Sequence, residues 1–296
     1  MKLVRTKTLA AAAVLTLTMA ACGDAGEETG GTDAPDVEVD EEAEFPSGST
    51  MAELQEAGSI TIGVKYDQPG IGFLRAGEED PSGFDIEMGK VIAADLGIAA
   101  EDIEWKETIS DNREPFLENG EVDIVLASYS ITDDRREVVG QAGPYYVTGQ
   151  QLLVAADDDS IAGPEDLEGK EVCSVTGSTS IETVEVEYGA TPRGFDTYSE
   201  CRDQLLQGQV DAVTTDGAIL LGYAAENPDE LKVVGEEFSE ERYGIGYELG
   251  DTEFCTFIQD TITAAQEDGT WEQAFEATLG VSDVETPEPP AMDECL

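Results

Sequence analysis

One polar segment of the chain has the composition of an anion-binding loop. The run Ser128-Tyr-Ser-Ile-Thr-Asp-Asp-Arg135 follows a predicted strand and opens a predicted helix. Free backbone N–H groups at the start of a helix attract anions, and an arginine one turn further along can hold a carboxylate through two parallel hydrogen bonds. Arg135 is therefore a candidate carboxylate-binding residue. The alternative is that Arg135 forms an ordinary surface ion pair.

A second polar segment, Gly177-Ser-Thr-Ser-Ile-Glu182, has a similar pattern. Thr179 and Glu182 are spaced as a capping box, and Gly177 permits a close approach of the backbone to a bound group. Because helix capping alone explains this pattern, the segment is a weak indicator of binding by itself.

Asp216 stands at the end of a predicted strand, directly after two threonines. A carboxylate in that place could pair with an ammonium group. The alternative is that Asp216 caps the predicted helix Gly217–Tyr223, since aspartate is a common N-cap residue.

Basic side chains are scarce, so each one that lies in a predicted loop is a candidate for binding an anion. The chain contains 15 lysine and arginine residues against 66 aspartate and glutamate residues, a net charge of −51. Lys65 and Arg113 each lie shortly after a predicted strand. Because salt screens charges beyond about 8 Å at physiological ionic strength, these two side chains and Arg135 could form a positive pocket within an acidic protein. Arg113 could instead pair with Asp111 or Glu114.

The elements that position these residues occur as an internal repeat. Gly120-Glu-Val-Asp-Ile-Val-Leu-Ala127 resembles Gly208-Gln-Val-Asp-Ala-Val-Thr214, and a predicted helix precedes each run. Alternating strands and helices indicate open α/β sheets, in which ligands bind beyond the carboxyl ends of the strands. Chance similarity of short strands is the alternative. The loops expected to line a cleft are Lys65–Ile71, Ser110–Arg113, Ser128–Arg135, Val175–Ser180 and Thr215–Asp216.

The segment Gly83-Phe-Asp-Ile-Glu-Met-Gly-Lys-Val-Ile-Ala-Ala-Asp-Leu96 identifies the scaffold. By its spacing it is a strand end that leads into an amphipathic helix, with Asp85 as a candidate cap. Its residues resemble the signature of the family 3 extracellular solute-binding proteins, the amino-acid receptors of ABC importers. The resemblance implies a hinged α/β fold of two lobes, the type II periplasmic-binding-protein-like fold, with the ligand between the lobes. It implies no catalysis, no cofactor and no metal.

The resemblance also implies a domain organisation. The chain would cross between the lobes near residues 145–149 and 240–244. The expected segments are a lipoprotein signal peptide at 1–21, an acidic disordered tether at 22–48, lobe one at 49–147 and 242–285, lobe two at 148–241, and a C-terminal tail at 286–296.

Nine positions match ligand-binding positions of the family. The resemblance assigns Ser128, Ser130 and Arg135 to the α-carboxylate, Ser178 and Thr179 to the same carboxylate when the cleft closes, Asp216 to the α-ammonium, and Lys65, Ser110 and Arg113 to a side-chain carboxylate. The resulting prediction is L-glutamate, with aspartate binding more weakly. A glutamine or asparagine site is the alternative, because Arg113 also suits an amide oxygen.

The N-terminus resembles that of an exported lipoprotein. Three basic residues precede the apolar run Leu9–Ala21, whose 13 residues are too few to span a bilayer. Cys22 follows small residues, as in a lipobox, so a lipid anchor on the outer side of the cell membrane is expected. An ordinary secretory signal is the alternative. Residues 23–48 contain ten acidic and no basic residues, a composition typical of disorder.

The residue composition excludes several classes of function. The chain contains no histidine, which excludes Ser-His-Asp and Cys-His catalysis and histidine-based zinc sites. The negative charge excludes nucleic acid as a partner.

The cysteines other than Cys22 number four, an even count that suggests two disulfides in an exported protein. Three pairings are possible, and free buried thiols are the alternative. The lobe division implied by the family favours Cys173–Cys201 and Cys255–Cys295, since each then closes within one lobe.

The expected partners are a polar amino acid and the membrane permease of an ABC transporter, with the receptor itself a monomer. The main rival is a dehydratase-like enzyme on the same fold, which would need an acid or base beside a reactive carbon. A sensory ectodomain or a module of a lytic enzyme would need further domains.

The net charge of −51 predicts that salt stabilises the fold. Like charges repel one another more strongly in the compact state, and added salt screens that repulsion. We expect the unfolding midpoint to rise between low salt and about 1 M salt, measured by thermal or urea unfolding. An unchanged midpoint would mean that the acidic surface only keeps the protein soluble.

Overall fold

A computed structural model describes residues 33–282 and 284–295 of the chain. The predicted signal peptide, the predicted lipidation site Cys22 and residues 23–32 of the predicted tether lie outside the described residues. The described part is an α/β protein of two lobes, and each lobe is built around its own five-stranded sheet.

The described residues contain twelve strands and nine α-helices, joined by loops and four short 3-10 helices. The strands are β1 (Ile60–Val64), β2 (Asp67–Gln68), β3 (Gly72–Phe73), β4 (Ile103–Glu107), β5 (Ile124–Leu126), β6 (Gly140–Thr148), β7 (Gln150–Ala155), β8 (Glu171–Val175), β9 (Thr191–Phe195), β10 (Ala212–Asp216), β11 (Leu231–Val234) and β12 (Glu241–Tyr247). The helices are α1 (Thr50–Ala57), α2 (Phe84–Asp95), α3 (Arg113–Glu118), α4 (Asp133–Arg136), α5 (Thr179–Val186), α6 (Tyr198–Leu206), α7 (Gly217–Glu226), α8 (Thr252–Asp268) and α9 (Thr270–Thr278). None of these helices is long and apolar enough to cross a membrane.

The first lobe contains the sheet with strand order β4-β1-β5-β12-β6. Strand β1 pairs in parallel with β4 and β5, whereas β12 runs antiparallel to β5 and β6. All three residues of β5 are buried, as expected for a parallel strand that helices cover on both faces.

The second lobe repeats this plan with the order β11-β7-β10-β8-β9. Strand β8 is parallel to β9 and β10, and β7 is antiparallel to β10 and β11. The chain passes from the first sheet to the second at Gly149 and returns over residues 235–240. The predicted lobe boundaries, 147/148 and 241/242, lie beside these two crossings.

The aspartate of the internal repeat has the same structural role in both lobes. In the first lobe the Asp123 carboxylate accepts a hydrogen bond from the backbone N–H of Thr61 at 2.7 Å. In the second lobe Asp211 does the same for Glu171 at 2.8 Å. Each aspartate therefore joins the start of its own strand to the start of the neighbouring parallel strand.

Helix α2 carries the segment that resembles the family signature. Met88, Val91, Ile92 and Leu96 are all at most 5% exposed, as expected. The expected amphipathic burial is wrong, because ten of the twelve residues of α2 are buried and the helix is covered on most of its sides. Gly97 follows with a φ of 79°, a left-handed residue of the kind that ends helices.

The prediction that Asp85 caps α2 is wrong. Gly83 is the N-cap residue, and Asp85 lies in the first turn, fully buried. Its carboxylate accepts hydrogen bonds from the backbone N–H of Ser128, at 2.8 Å, and from the hydroxyl of Tyr145. Asp85 therefore connects the signature helix to the predicted anion-binding loop.

The last two helices pack on the first lobe. The Trp271 side chain in α9 is fully buried, and its indole N–H donates to the carbonyl of Tyr145 at 2.8 Å. The rings of Trp271 and Phe275 each lie 5.5 Å from Phe84 of α2. This aromatic cluster fixes α2 and α9 against β6, next to the first crossing.

Residues 33–48, which belong to the predicted tether, contain no helix or strand but contact the first lobe. The N–H of Asp40 donates to the Ala94 carbonyl at 2.9 Å, and the Phe45 ring packs edge-on against Phe257. This segment therefore lies against the lobe whose predicted start is residue 49.

The C-terminal segment is irregular and also lies on the first lobe. The N–H of Asp293 donates to the Gly143 carbonyl at 2.7 Å, and its carboxylate pairs with Arg136, at 2.9 Å, and with Arg242.

Two disulfides join Cys173 to Cys201 and Cys255 to Cys295, the pairs that the lobe division favours. The first ties β8 to α6, and the second ties α8 to the C-terminal segment. Since each lies within one lobe, neither restricts movement between the lobes.

Candidate functional site

The facing ends of the two sheets enclose a small cavity with a polar lining. The first lobe contributes Ser110, Arg113, Ser128, Ser130 and Arg135, and the second contributes Ser178, Thr179, Ser180, Tyr198, Thr215 and Asp216. Eight of the nine predicted residues are in this set. The ninth, Lys65, lies behind Ser110, and its Nζ donates to the Ser110 hydroxyl at 2.9 Å.

Helix α4 presents Arg135 to the cavity. Thr132 caps this helix, since its side chain accepts from the N–H of Arg135 at 3.2 Å. The guanidinium donates to the Ser130 carbonyl at 2.7 Å and pairs with Glu114 at 3.3 Å. Arg135 thus has an acidic partner, but its side chain is only 11% exposed and lines the cavity, so this is not a surface ion pair.

Ser128 adopts a left-handed backbone conformation, with a φ of 43°, which is uncommon for residues other than glycine. Strain of this kind costs about 1–3 kcal/mol and persists only where the surroundings impose it. The Asp85 carboxylate imposes it here by accepting from the Ser128 N–H. Burial raises the pKa of Asp85 to about 6, so the carboxylate that holds the loop is ionised at neutral pH.

Lys65 and Arg113 are cations buried without an anionic partner. Burial, with the neighbouring Arg113, lowers the pKa of Lys65 to about 7, and burial, with Arg135, lowers the pKa of Arg113 to about 10. The Arg113 guanidinium donates only to carbonyl oxygens, those of residues 110, 127, 128 and 177. Across the described ranges neither cation forms an ion pair.

Tyr129 supports both arginines of the site. Its ring centroid lies 4.5 Å from the Arg113 guanidinium carbon and 5.0 Å from that of Arg135, within the range of cation–π attraction. Its hydroxyl donates to Glu114 at 2.6 Å, and burial together with Glu114 raises its pKa. The ring therefore stabilises two adjacent positive charges without neutralising them.

The two arginines also reach across the cleft to one carbonyl oxygen of the second lobe. Arg113 and Arg135 donate to the Gly177 oxygen at 3.2 and 3.0 Å. Gly177 has a φ of 76°, and a Cβ on it would lie 2.2 Å from the Asp111 side chain. The glycine thus permits the loops of the two lobes to meet.

Asp216 occupies the N-cap position of α7, but its side chain makes no capping hydrogen bond. The hydroxyl of Tyr243 donates to its carboxylate instead. Burial and the nearby Glu241 raise the pKa of Asp216 to about 7. Because a cation beside this carboxylate would favour its ionised form, the position suits an ammonium group.

The predicted capping box at Thr179 and Glu182 is wrong, because the N-cap residue lies one position earlier. Ser178 is the N-cap of α5, and its hydroxyl accepts from the N–H of Ile181 at 3.3 Å. Thr179 therefore directs its hydroxyl to another partner.

That partner is Glu241, a site residue that sequence reasoning missed. It is 4% exposed and opens β12, where the chain returns to the first lobe. One oxygen of its carboxylate accepts from Thr179 in the second lobe at 3.0 Å and from Ser130 in the first at 2.5 Å. A sequence rule that looks for ligand residues after strands does not find Glu241, because it precedes one.

Three lining residues of the second lobe were also not predicted: Ser180, Tyr198 and Thr215. Ser180 and Thr215 lie within loops expected to line the cleft, so their place in those loops was an available signal. Tyr198 lies at the start of α6, soon after β9, inside the capping box formed by Thr197 and Glu200, and that spacing in the sequence was an available signal.

The chemistry of the site is that of binding a small zwitterion. The cations of the lining lie on the first lobe, hydroxyl groups lie on both lobes, and the carboxylates of Asp216 and Glu241 lie at the second lobe and the crossing. Within residues 33–282 and 284–295, no group of three or more aspartate, glutamate or cysteine side chains is placed to hold a metal ion.

Comparison with protein-family models finds one that matches residues 60–280, described as bacterial extracellular solute-binding proteins, family 3. Among curated proteins, the glutamate-binding protein GluB of Corynebacterium efficiens is 40% identical over 281 residues, covering 91% of this chain and 88% of GluB. The ABC transporter glutamine-binding protein GlnH of Bacillus subtilis is 32% identical and covers 87% of this chain and 90% of GlnH.

Solved structures show the same fold. An ancestral arginine-binding protein bound to glutamine superimposes with a TM-score of 0.70 at 37% identity, covering 75% of this chain and 98% of that protein. The fold expected from the signature segment is therefore confirmed.

The buried Asp85 gives a prediction for stability against pH. Its pKa is raised from 3.8 to about 6 in the folded protein, so the folded state binds the proton more tightly than the unfolded chain. The stability from this group is thus complete below pH 3.8 and is lost as the pH rises through about 6.

The variant Asp85→Asn has no titrating carboxyl at this position, so it does not lose stability in this way as the pH rises. We expect the unfolding free energy of the variant, relative to wild type, to increase by about 3 kcal/mol from pH 4 to pH 7, measured by urea unfolding. A difference that does not change with pH would contradict this account of Asp85.

Proposed function

The chain belongs to the bacterial extracellular solute-binding proteins of family 3, and from that premise we propose that it is the receptor of an ABC importer that binds L-glutamate. The family and the near curated relatives are binding proteins rather than enzymes, so a dehydratase-like activity has no support.

The observation that carries the choice of glutamate is the pair of buried cations without anionic partners. Arg113 and Arg135 line the cavity, and Lys65 lies behind Ser110, close enough to both arginines for their charges to lower its pKa. Leaving buried positive charges unpaired is costly, and a carboxylate among them offsets that cost. The α-carboxylate of an amino acid would compensate Arg135, and a side-chain carboxylate would compensate Lys65 and Arg113.

The acidic end of the site completes the charge pattern. Asp216, with Glu241 nearby, would receive the α-ammonium group. An α-amino acid with an acidic side chain thus matches the cavity at three points, with two carboxylates among the cations and one ammonium by the carboxylates.

Glutamine is the second candidate. The relative GlnH and the ancestral protein bound to glutamine support it by similarity, whereas GluB supports glutamate. The charge of the pocket favours glutamate, since an amide would leave Lys65 and Arg113 uncompensated.

Binding would proceed by closure of the hinge. Arg113 and Arg135 of the first lobe meet Gly177 of the second, and Thr179 meets Glu241. Because a ligand held by both lobes binds the closed form more tightly, it shifts the hinge equilibrium toward closure. We further propose that a lipid on Cys22 anchors the receptor and that a membrane permease recognises its closed form.

Calorimetry with glutamate, aspartate, glutamine and asparagine tests the ligand. We expect glutamate to bind most tightly, aspartate more weakly, and the amides least. Asp216→Ala should abolish binding of all four, since it removes the partner of the ammonium group. Tight binding of glutamine with no heat from glutamate would contradict the proposal.

Proton exchange on binding tests the roles of Lys65 and Asp216. At pH 6 Asp216, with a pKa of about 7, is mostly protonated, so an ammonium ligand should release a proton. At pH 8 Lys65, also with a pKa of about 7, is mostly neutral, so a carboxylate ligand should cause proton uptake.

Titration with glutamate in buffers of different ionisation enthalpy measures both effects. Lys65→Met should remove the uptake at pH 8 and retain the release at pH 6. Uptake that survives in this variant would show that Lys65 does not face the ligand's side chain.

A further inference from the structure

A second contact between the lobes lies at the edge of the cavity and away from the crossings. It involves the first-lobe loop 65–70, which carries Lys65 at its start. Two residues later, the Asp67 carboxylate accepts hydrogen bonds from the N–H groups of Tyr198, at 2.8 Å, and Ser199, at 3.2 Å. These two groups form the N-terminus of α6 in the second lobe.

A second helix of the second lobe reaches the same loop. The hydroxyl of Tyr223 in α7 donates to the carbonyl oxygen of Asp67, and it lies 3.3 Å from the carboxylate. A Cβ on Gly222 would meet the Pro69 carbonyl oxygen at 2.5 Å. Glycine at this place therefore lets α7 pack directly on the loop.

The N-terminus of α6 is arranged to receive a group from outside its own lobe. The Thr197 side chain accepts from the N–H of Glu200, and the Glu200 side chain accepts from the N–H of Thr197. This capping box leaves the N–H groups of Tyr198 and Ser199 without an acceptor in α6. Asp67 supplies that acceptor, and its negative charge lies at the positive end of the helix.

The contact is coupled to the binding site without being part of it. Asp67 does not line the cavity, but Tyr198 does, and Lys65 precedes Asp67 by two residues. The disulfide between Cys173 and Cys201 joins α6 to β8, the strand that leads to Ser178 and Thr179. The hydrogen bonds from Asp67 to the N-terminus of α6 therefore also help to position the second-lobe side of the cavity.

We propose that Asp67 is a closure latch, a positioning residue that stabilises the closed form through the N-terminus of α6 and the Tyr223 hydroxyl. The proposal rests on the hinge closure inferred above, but it does not depend on which amino acid binds. The latch contributes to the affinity for every ligand, because it forms on closure and touches none of them.

The test compares Asp67→Ala with wild type by calorimetry and stopped-flow binding. L-glutamate is the first probe, and L-glutamine is the second. We expect the affinity for both to fall about tenfold, mainly through faster dissociation, since closure contacts act on the closed complex. Tyr223→Phe keeps the packing of the ring and should cost about threefold; it also serves if Asp67→Ala does not fold.

Thr197→Ala is the matched control. It removes a cap from the same helix end but leaves the contact between the lobes, so it should lower the unfolding midpoint and leave the dissociation rate unchanged. Affinities of Asp67→Ala within twofold of wild type would overturn the latch. Because the Asp67 charge also acts on Lys65, independence of the ligand is judged on Tyr223→Phe, and unequal losses for the two probes in that variant would overturn the latch as well.

The outcome for the latch is separate from the outcome for the proposed ligand. If wild type binds glutamine and not glutamate, the glutamate proposal fails and the glutamine series alone tests the latch. If glutamate binds and the variants behave as wild type, the latch fails and the glutamate proposal stands.

Discussion

The burial of adjacent positive charges is the constraint on which the rest of the site depends. Lys65 and Arg113 are taken out of water in a protein whose net charge is −51, and among the described residues neither forms an ion pair with a carboxylate. Carbonyl oxygens, the Ser110 hydroxyl and the face of Tyr129 hold them in place instead. These neutral groups orient the charges and leave them available to an anion.

Much of the first lobe serves to position those neutral groups. Asp85 in α2 holds Ser128 in a left-handed conformation, and that conformation turns the carbonyl oxygens of the 127–130 loop toward the guanidinium groups. The aromatic cluster around Phe84 fixes α2 against β6. The signature segment thus acts on the cavity through a buried carboxylate, although none of its residues lines the cavity.

The sequence predicted the parts of the molecule that follow from local rules. The spacing of Met88, Val91 and Ile92 revealed a helix face, and the ends of the parallel strands indicated the loops that meet. What it could not reveal are contacts made by folding across long separations. Asp85 resembles a cap until its distance to Ser128 is known, and Glu241 lies far in sequence from Ser130 and Thr179. Asp67 lies in one of the loops expected at the cleft, but its partners in α6 and α7 are more than 100 residues away in sequence.

The order of the strands in the first sheet has a consequence for how the chain matures. Strand β12 lies between β5 and β6, yet it follows the whole second lobe in the sequence. The first sheet therefore cannot be completed until the whole second lobe has been synthesised. The second sheet contains only residues 150–234 and needs nothing from the later chain. The inserted lobe is thus the part that can reach its final form first, and the first lobe, which also contains the disulfide between Cys255 and Cys295, is completed afterwards.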